Sequence, residues 1–152
     1  MKIVVITGEE SGDHLGASLI NALEKIYSQK LDIYGIGGKA LEEKGLKKFY
    51  DISEINVMGI IEVIPKIFHI KKIIDNTVNK ILDLAPDIVL TIDSPDFTLR
   101  IAKKLKKRNS NIKIIHFVAP SVWIWRSGRI NTVKESVDHL LTILPFEKEI
   151  FE

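Results

Sequence analysis

With 152 residues, 45% of them hydrophobic and 28% charged, the chain can bury one sizeable core and is neither disordered nor collagen-like in composition. It has no cysteine, which excludes disulfides, thiolate zinc sites and thiol nucleophiles and points to a reducing compartment. The net charge is only +2, and neither a signal-peptide pattern nor an apolar run near the ~20 residues of a membrane span is visible, so a cytosolic protein is expected.

Short β-branched runs alternate with longer helical stretches, the signature of βαβ units. The expected fold class is α/β: one Rossmann-like domain, a parallel sheet with helices on both faces. Lys2 to Thr7 is predicted as a first strand buried on both sides, because its apolar run is unbroken. Gly8 to Asp13 reads as a turn, followed by a helix to about Tyr27 with Leu15, Leu19, Ala22, Leu23 and Ile26 on one face. Leu31 to Tyr34 is a second strand ending in the turn Gly35-Ile36-Gly37-Gly38. Val57 to Ile74 is very apolar, with Pro65 in its middle and Lys66, Lys71 and Lys72 behind it. It fits a buried helix pair or an interfacial segment with snorkelling lysines. Ile88 to Ile92, Ile112 to Phe117 and Leu140 to Leu144 are later strands. An amphipathic helix runs from about Phe97 to Arg108, and another begins near Gly128. Pro145 to Glu152 reads as the start of a new helix, a hint that the sequence is part of something larger.

Sheets of this kind bind ligands at the carboxyl ends of their strands. The first loop there, Gly8-Glu9-Glu10-Ser11-Gly12-Asp13, is neither a Walker A motif, a dinucleotide fingerprint nor a nucleophile elbow. Ser11 or Asp13 fits a cap for the next helix. Alternatively the helix N-terminus and its glycines admit a sugar or phosphate, with Glu9 bonding hydroxyls. In the second loop Asp93 stands at a strand end without an evident structural duty, Pro95 stiffens its turn, and Asp96 fits the N-cap of the following helix. The third loop carries both tryptophans, Trp123 and Trp125, which suit a core or an interdomain seam. Arg126 and Arg129, three apart, suit a phosphate or plain solvation. From Arg100 to Lys113 seven basic residues stand without an acidic one, either a solvated helix face or an anion-attracting patch. It lacks the interleaved aromatics of a nucleic-acid platform, so no nucleic acid is expected as partner.

Six segments in register resemble the lipid A disaccharide synthase family. They are Gly8-Glu9-Glu10-Ser11-Gly12-Asp13, Gly35-Ile36-Gly37-Gly38, Val57-Met58-Gly59-Ile60-Ile61-Glu62-Val63, Ile92-Asp93-Ser94-Pro95-Asp96-Phe97, Pro120-Ser121-Val122-Trp123-Ile124-Trp125 and Leu144-Pro145-Phe146-Glu147. Glu10, Ser94, Thr98, Phe117 and Ala119 depart mildly from that pattern.

The resemblance implies the N-terminal, acceptor-binding half of a two-domain GT-B glycosyltransferase. Such enzymes join a UDP-2,3-diacylglucosamine donor to 2,3-diacylglucosamine 1-phosphate with inversion and release UDP. The nucleotide-binding half is expected outside these 152 residues, on the same chain or on a second one. By the same resemblance Asp93 matches the general base for the acceptor's 6-hydroxyl, and Glu9, Ser11, Gly12, Met58, Ser121, Trp123, Arg126 and Arg129 are substrate-binding candidates. A carboxylate in reach suits a hydroxyl that must lose its proton as it attacks. No metal or cofactor is expected, since His14, His69, His116 and His139 show no ligand spacing. Acylated substrates imply peripheral work at an anionic membrane surface, on the inner face of the cytoplasmic membrane. Two alternatives stand beside this reading: another twin-Rossmann UDP-sugar enzyme such as an epimerase, and a non-catalytic flavodoxin-like binding domain.

Overall fold

The unbroken apolar run Lys2–Thr7 forms strand β1, whose residues from Ile3 onward are buried. The computed structural model describes residues 1–55, 63–120, 128–147 and 149, with backbone alone for 63–66, 128 and 129. After β1 come α1 (Glu10–Tyr27), β2 (Asp32–Gly37), α2 (Lys39–Glu43), β3 (Lys47–Asp51) and a 3-10 turn (Ile52–Glu54). Then follow α3 (Val63–Leu84), β4 (Ile88–Ile92), α4 (Pro95–Arg108), β5 (Ile114–Phe117), α5 (Gly128–Ser136) and β6 (His139–Leu141). The strands make one sheet in the order β3-β2-β1-β4-β5-β6, every pair parallel. This is the Rossmann-like arrangement. Strand order reverses between β1 and β4, which opens a crevice beyond their carboxyl ends.

Alternation along the strands divides the core in two. Val4, Ile6, Val89 and Ile114 meet Ile73, Val78 and Ile81 of α3 and Ile101, Ala102 and Leu105 of α4. Ile3, Val5, Leu90 and Ile92 meet Ala17 and Ile20 of α1 and Leu41 of α2.

Several elements differ from the sequence expectation. The first loop is shorter than Gly8 to Asp13, because α1 starts at Glu10. Its fully buried positions are Gly12, Asp13, Gly16, Ala17 and Ile20; Leu15, Leu19 and Leu23 are half-buried, and Ala22 and Ile26 are exposed. Small residues let the helix sit close to the sheet, with Leu15, Leu19 and Leu23 packing along the margin of that contact. The segment expected as a turn, Gly35 to Gly37, is strand: Gly35 pairs with Val5 and Ile36 with Ile6. Gly35 has φ 137°, and a Cβ there would lie 1.9 Å from the Val5 carbonyl oxygen, so only glycine fits. Strand β5 starts at Ile114 rather than Ile112, and β6 is His139–Leu141 rather than Leu140 to Leu144. Pro65 lies in the first described turn of α3, where a missing N–H is tolerated.

Strand β3 escapes hydrophobic patterning because it is a charged edge. Lys47 bonds Asp32 at 2.7 Å, while Lys48 bonds Glu42 at 2.8 Å and Asp51 at 2.7 Å. Lysines on an edge strand discourage further strand pairing.

Candidate active-site crevice

Two loops meet where the strand order reverses. Gly8 and Glu9 follow β1, and Asp93 and Ser94 follow β4. A Cβ on Gly8 would stand 2.6 Å from both Cβ and Oγ of Ser94, so the loops approach as closely as glycine permits. Ser94 Oγ donates to Glu9 Oε1 at 3.2 Å, joining the two sides of the crevice.

Asp93 and Ser94 both adopt left-handed backbone, with φ 49° and 42°. For residues with a Cβ this conformation is unfavourable by about 1 kcal/mol each. The surroundings hold it in place. Asp93 N–H donates to the Phe117 carbonyl at 3.0 Å, and Thr98 Oγ1 donates to the carbonyls of Asp93 at 2.7 Å and Ser94 at 3.1 Å. Asp93 Oδ1 accepts from Ser94 N–H at 2.8 Å, so this side chain does have a structural duty that its sequence position conceals. Among the described residues none donates to Oδ2. Backbone strain that neighbours over-determine is a mark of functional loops.

The left-handed pair also moves the helix start. Ser94 occupies the N-cap of α4 without a side-chain cap bond, Pro95 is in the first turn, and Asp96 lies inside it rather than at the N-cap. Proline suits that place because its N–H would be unpaired there anyway.

Neither Ser11 nor Asp13 caps α1; the N-cap is Glu9, with no side-chain cap bond. Ser11 is exposed on the first turn. Gly12 is buried, and a Cβ there would come within 3.3 Å of Thr7 Cβ and 3.4 Å of the Ile92 carbonyl oxygen. Asp13, only 2% exposed, reaches across to the start of α2. It accepts from the N–H groups of Gly38 at 2.7 Å, Ala40 at 2.8 Å and Leu41 at 3.3 Å. Cβ atoms at Gly37 and Gly38 would crowd its carboxylate at 3.1 and 2.8 Å. A cleft of about 670 Å³ opens beside it, lined by Glu10, His14, Lys39, Glu43 and Lys44 among others.

At the end of β5, His116 is fully buried, with Nδ1 2.8 Å from Thr91 Oγ1. Burial pushes its pKa down to about 4, while the Asp93 carboxylate and the Val118 main chain pull it the other way. Val118, the next residue but one, has φ 77°, rare for a β-branched side chain. In the sequence His116 stands out only as a candidate metal ligand. The available signal was a histidine inside an apolar strand, directly before the loop with the tryptophans.

Met58, Ser121, Trp123, Trp125 and Arg126 lie outside the described residues, as does the side chain of Arg129. The basic block is largely committed within the fold. Lys103 pairs with Glu135 at 3.3 Å, Lys106 with Asp138 at 2.8 Å, Lys104 with Asp75, and Arg108 donates to Asn79. These four side chains tie α4 to its neighbours. The apolar stretch divides: Ile73 and Ile74 are core, whereas Ile67 and Phe68 are 59% and 68% exposed. Among the described residues no helix is long and apolar enough to cross a membrane, and no three His, Asp or Glu side chains converge as a metal site.

Residues 3–152 match the family model of lipid-A-disaccharide synthetase. A lipid-A-disaccharide synthase from Rickettsia bellii is 48% identical over 151 residues, 99% of this chain and 39% of that protein. One from Ruegeria pomeroyi is 43% identical over 152 residues, 100% of this chain and 37% of that protein. The chain thus spans less than two fifths of the length of these relatives. Among solved structures, a UDP-GlcNAc 2-epimerase from Methanocaldococcus jannaschii has a TM-score of 0.65 at 17% identity, over 99% of this chain and 42% of that one. That likeness is one of fold.

Proposed function

Because this chain belongs to the lipid-A-disaccharide synthetase family, we propose that it is the acceptor-binding part of an inverting glycosyltransferase. The reaction joins UDP-2,3-diacylglucosamine to 2,3-diacylglucosamine 1-phosphate, giving a β-1,6-linked disaccharide 1-phosphate and UDP. The acceptor's 6-oxygen bonds to the donor's anomeric carbon as the bond to UDP breaks, and UDP leaves with the electron pair. The hydroxyl proton passes to the carboxylate of Asp93. Glu9 binds sugar hydroxyls beside it. Ser11 and Gly12 line the same loop, while Met58, Ser121, Trp123, Arg126 and Arg129 complete the substrate contacts. A nucleotide-binding domain beyond these 152 residues, on the same chain or a second one, holds UDP.

The observation that carries this reading is the position of Asp93. It follows β4 at the reversal of strand order, in strained backbone, with one carboxylate oxygen without a described donor. The test is transfer by the full-length protein, measured as UDP release. Asp93→Asn keeps the size of the side chain and removes the proton acceptor, so turnover falls by ~10²–10⁴. Wild-type turnover in that variant would sink the assignment.

The same substrates remain anchored in a bilayer by their acyl chains, so the crevice works at a membrane surface. The exposed pair Ile67 and Phe68, followed by exposed Lys71 and Lys72 on α3, suits peripheral insertion beside anionic headgroups.

A further inference from the structure

His116 and Asp93 belong to neighbouring strand ends. Thr91 pairs with His116 in the β4–β5 register, and Asp93 N–H donates to the carbonyl of Phe117, the residue after His116. The His116 ring is bonded to Thr91 through Nδ1, and its Nε2 is buried without a hydrogen bond of good geometry, although the Val118 main chain acts on the ring as a weak acceptor. An unpaired polar atom in a core calls for an explanation, because nearly all such atoms are paired. The groups that act on this ring, the Asp93 carboxylate and the Val118 main chain, both favour a protonated nitrogen, as acceptors do. The Thr91 hydroxyl stands 2.8 Å from Nδ1 and 3.3 Å from the Ile115 carbonyl; assigning its hydrogen to the shorter contact makes Nδ1 the acceptor and places the ring hydrogen on Nε2.

We propose that His116 is a positioning residue for Asp93: its Nε2–H becomes the donor to the carboxylate when the acceptor sugar is bound. Ser94 N–H already fixes Oδ1. A second donor from behind would leave one lone pair aimed at the incoming hydroxyl and stop the carboxylate from swinging away. Thr91 holds the ring in the tautomer this requires. The inference rests on Asp93 being the proton acceptor.

The experiment uses the full-length protein and four forms: unaltered, Asp93→Asn, His116→Asn and His116→Gln. Glutamine places its amide near Nε2, whereas asparagine places its amide near Nδ1, beside Thr91. Positioning by Nε2–H means that His116→Gln keeps kcat within about threefold. His116→Asn loses about 10- to 100-fold in kcat, with KM little changed, as expected when a catalytic group is misplaced rather than removed. A purely structural histidine gives the reverse order, since asparagine preserves the Thr91 bond. Equal kcat in the two variants, or kcat that merely follows Tm, overturns the proposal. Should both variants fail to fold, imidazole nitrogen NMR of the unaltered protein decides. Addition of 2,3-diacylglucosamine 1-phosphate must shift the His116 Nε2–H signal, and must fail to do so in Asp93→Asn; an unmoved signal overturns the proposal. Full activity of Asp93→Asn removes the general-base reading itself. Loss in Asp93→Asn with none in His116→Asn removes only the inference about His116.

Discussion

Asp13 Oδ1 accepts from Gly38 N–H at 2.7 Å, a buried bond between the first turn of α1 and the residue that ends the β2 loop. Together with Ala40 and Leu41 this gives one carboxylate three main-chain donors at the head of a five-residue helix. So short a helix has little stability of its own. Asp13 supplies what the local sequence lacks. Asp13→Asn puts an amide NH₂ against those donors and removes the charge, so we expect a loss of about 3 kcal/mol in urea unfolding, the range for charged, buried hydrogen bonds. Gly38→Ala, whose Cβ would stand 2.8 Å from Asp13 Oδ2, should also destabilise. Because the two sites touch, the double variant should lose less than the two single losses combined.

The contact of Gly8 with Ser94 yields a second cycle. Gly8→Ala forces a Cβ to 2.6 Å from Ser94, and overpacking of that kind costs about 1–3 kcal/mol. Ser94→Ala gives no relief, since Ser94 Cβ is itself one of the clashing atoms. Ser94→Gly removes that atom and relaxes φ 42° as well. Thermal unfolding should therefore show Gly8→Ala rescued by Ser94→Gly and not by Ser94→Ala.

His116 makes stability depend on pH. The unfolded chain takes up this proton near its ordinary pKa of 6.5, the folded chain only near 4. Between those values the unfolded state binds more protons, so stability rises with pH through the window. The contribution is complete above about 6.5, lost below about 4, and amounts to roughly 3 kcal/mol. Asp51 acts at lower pH. Lys48 and the Ser53 amide hold its carboxyl at about 2, so its contribution disappears as pH falls from 3.8 toward that value. Denaturation midpoints from pH 4 to 7 should flatten in His116→Gln while the decline below pH 4 persists.

Asp96 separates from Asp93 in this picture. Inside the first turn of α4 its charge complements the helix N-terminus, an effect of about 0.3–1 kcal/mol. Asp96→Asn should leave UDP release by the full-length protein within about twofold. A loss as deep as that of Asp93→Asn would undo the distinction.

Membrane contact through α3 has a salt signature. Lysines lose their hold on anionic liposomes as the Debye length falls to ~3 Å at 1 M salt, while inserted Ile67 and Phe68 keep theirs. Co-sedimentation should be strong on anionic vesicles at low salt and weakened but not abolished at high salt. Ile67→Ser with Phe68→Ser should remove the salt-resistant part. Equal binding by the double variant would return these side chains to ordinary surface.

Much of the frame was legible because β1 carries an unbroken apolar run and β4 one interrupted only by Thr91, as a sheet covered on both faces requires. Asp93 was legible as the charged residue directly after β4. Other features depend on contacts between distant residues. Gly35-Ile36-Gly37-Gly38 reads as a turn because nothing local reveals the Val5 carbonyl that demands glycine in a strand. Asp96 resembles a cap because the left-handed backbone at Asp93 and Ser94 is imposed by Phe117 and Thr98, not by the dipeptide itself. Asp13 reads as a cap for α1 because its partners lie 25 to 28 residues further along the chain, at the head of α2.

The all-parallel pairing of the sheet also sets a schedule for its assembly. No hairpin exists among the described strands to start it, so each pairing must first close a long loop. The strand at the junction, β1, is made first, yet its partner on one side begins only at Ile88, 81 residues after Thr7. At ~5–20 residues per second, a ribosome needs roughly 4–16 s to deliver it. For that interval a strand destined for full burial has an open edge, and the nascent chain is a client for whatever shields such edges in the cell.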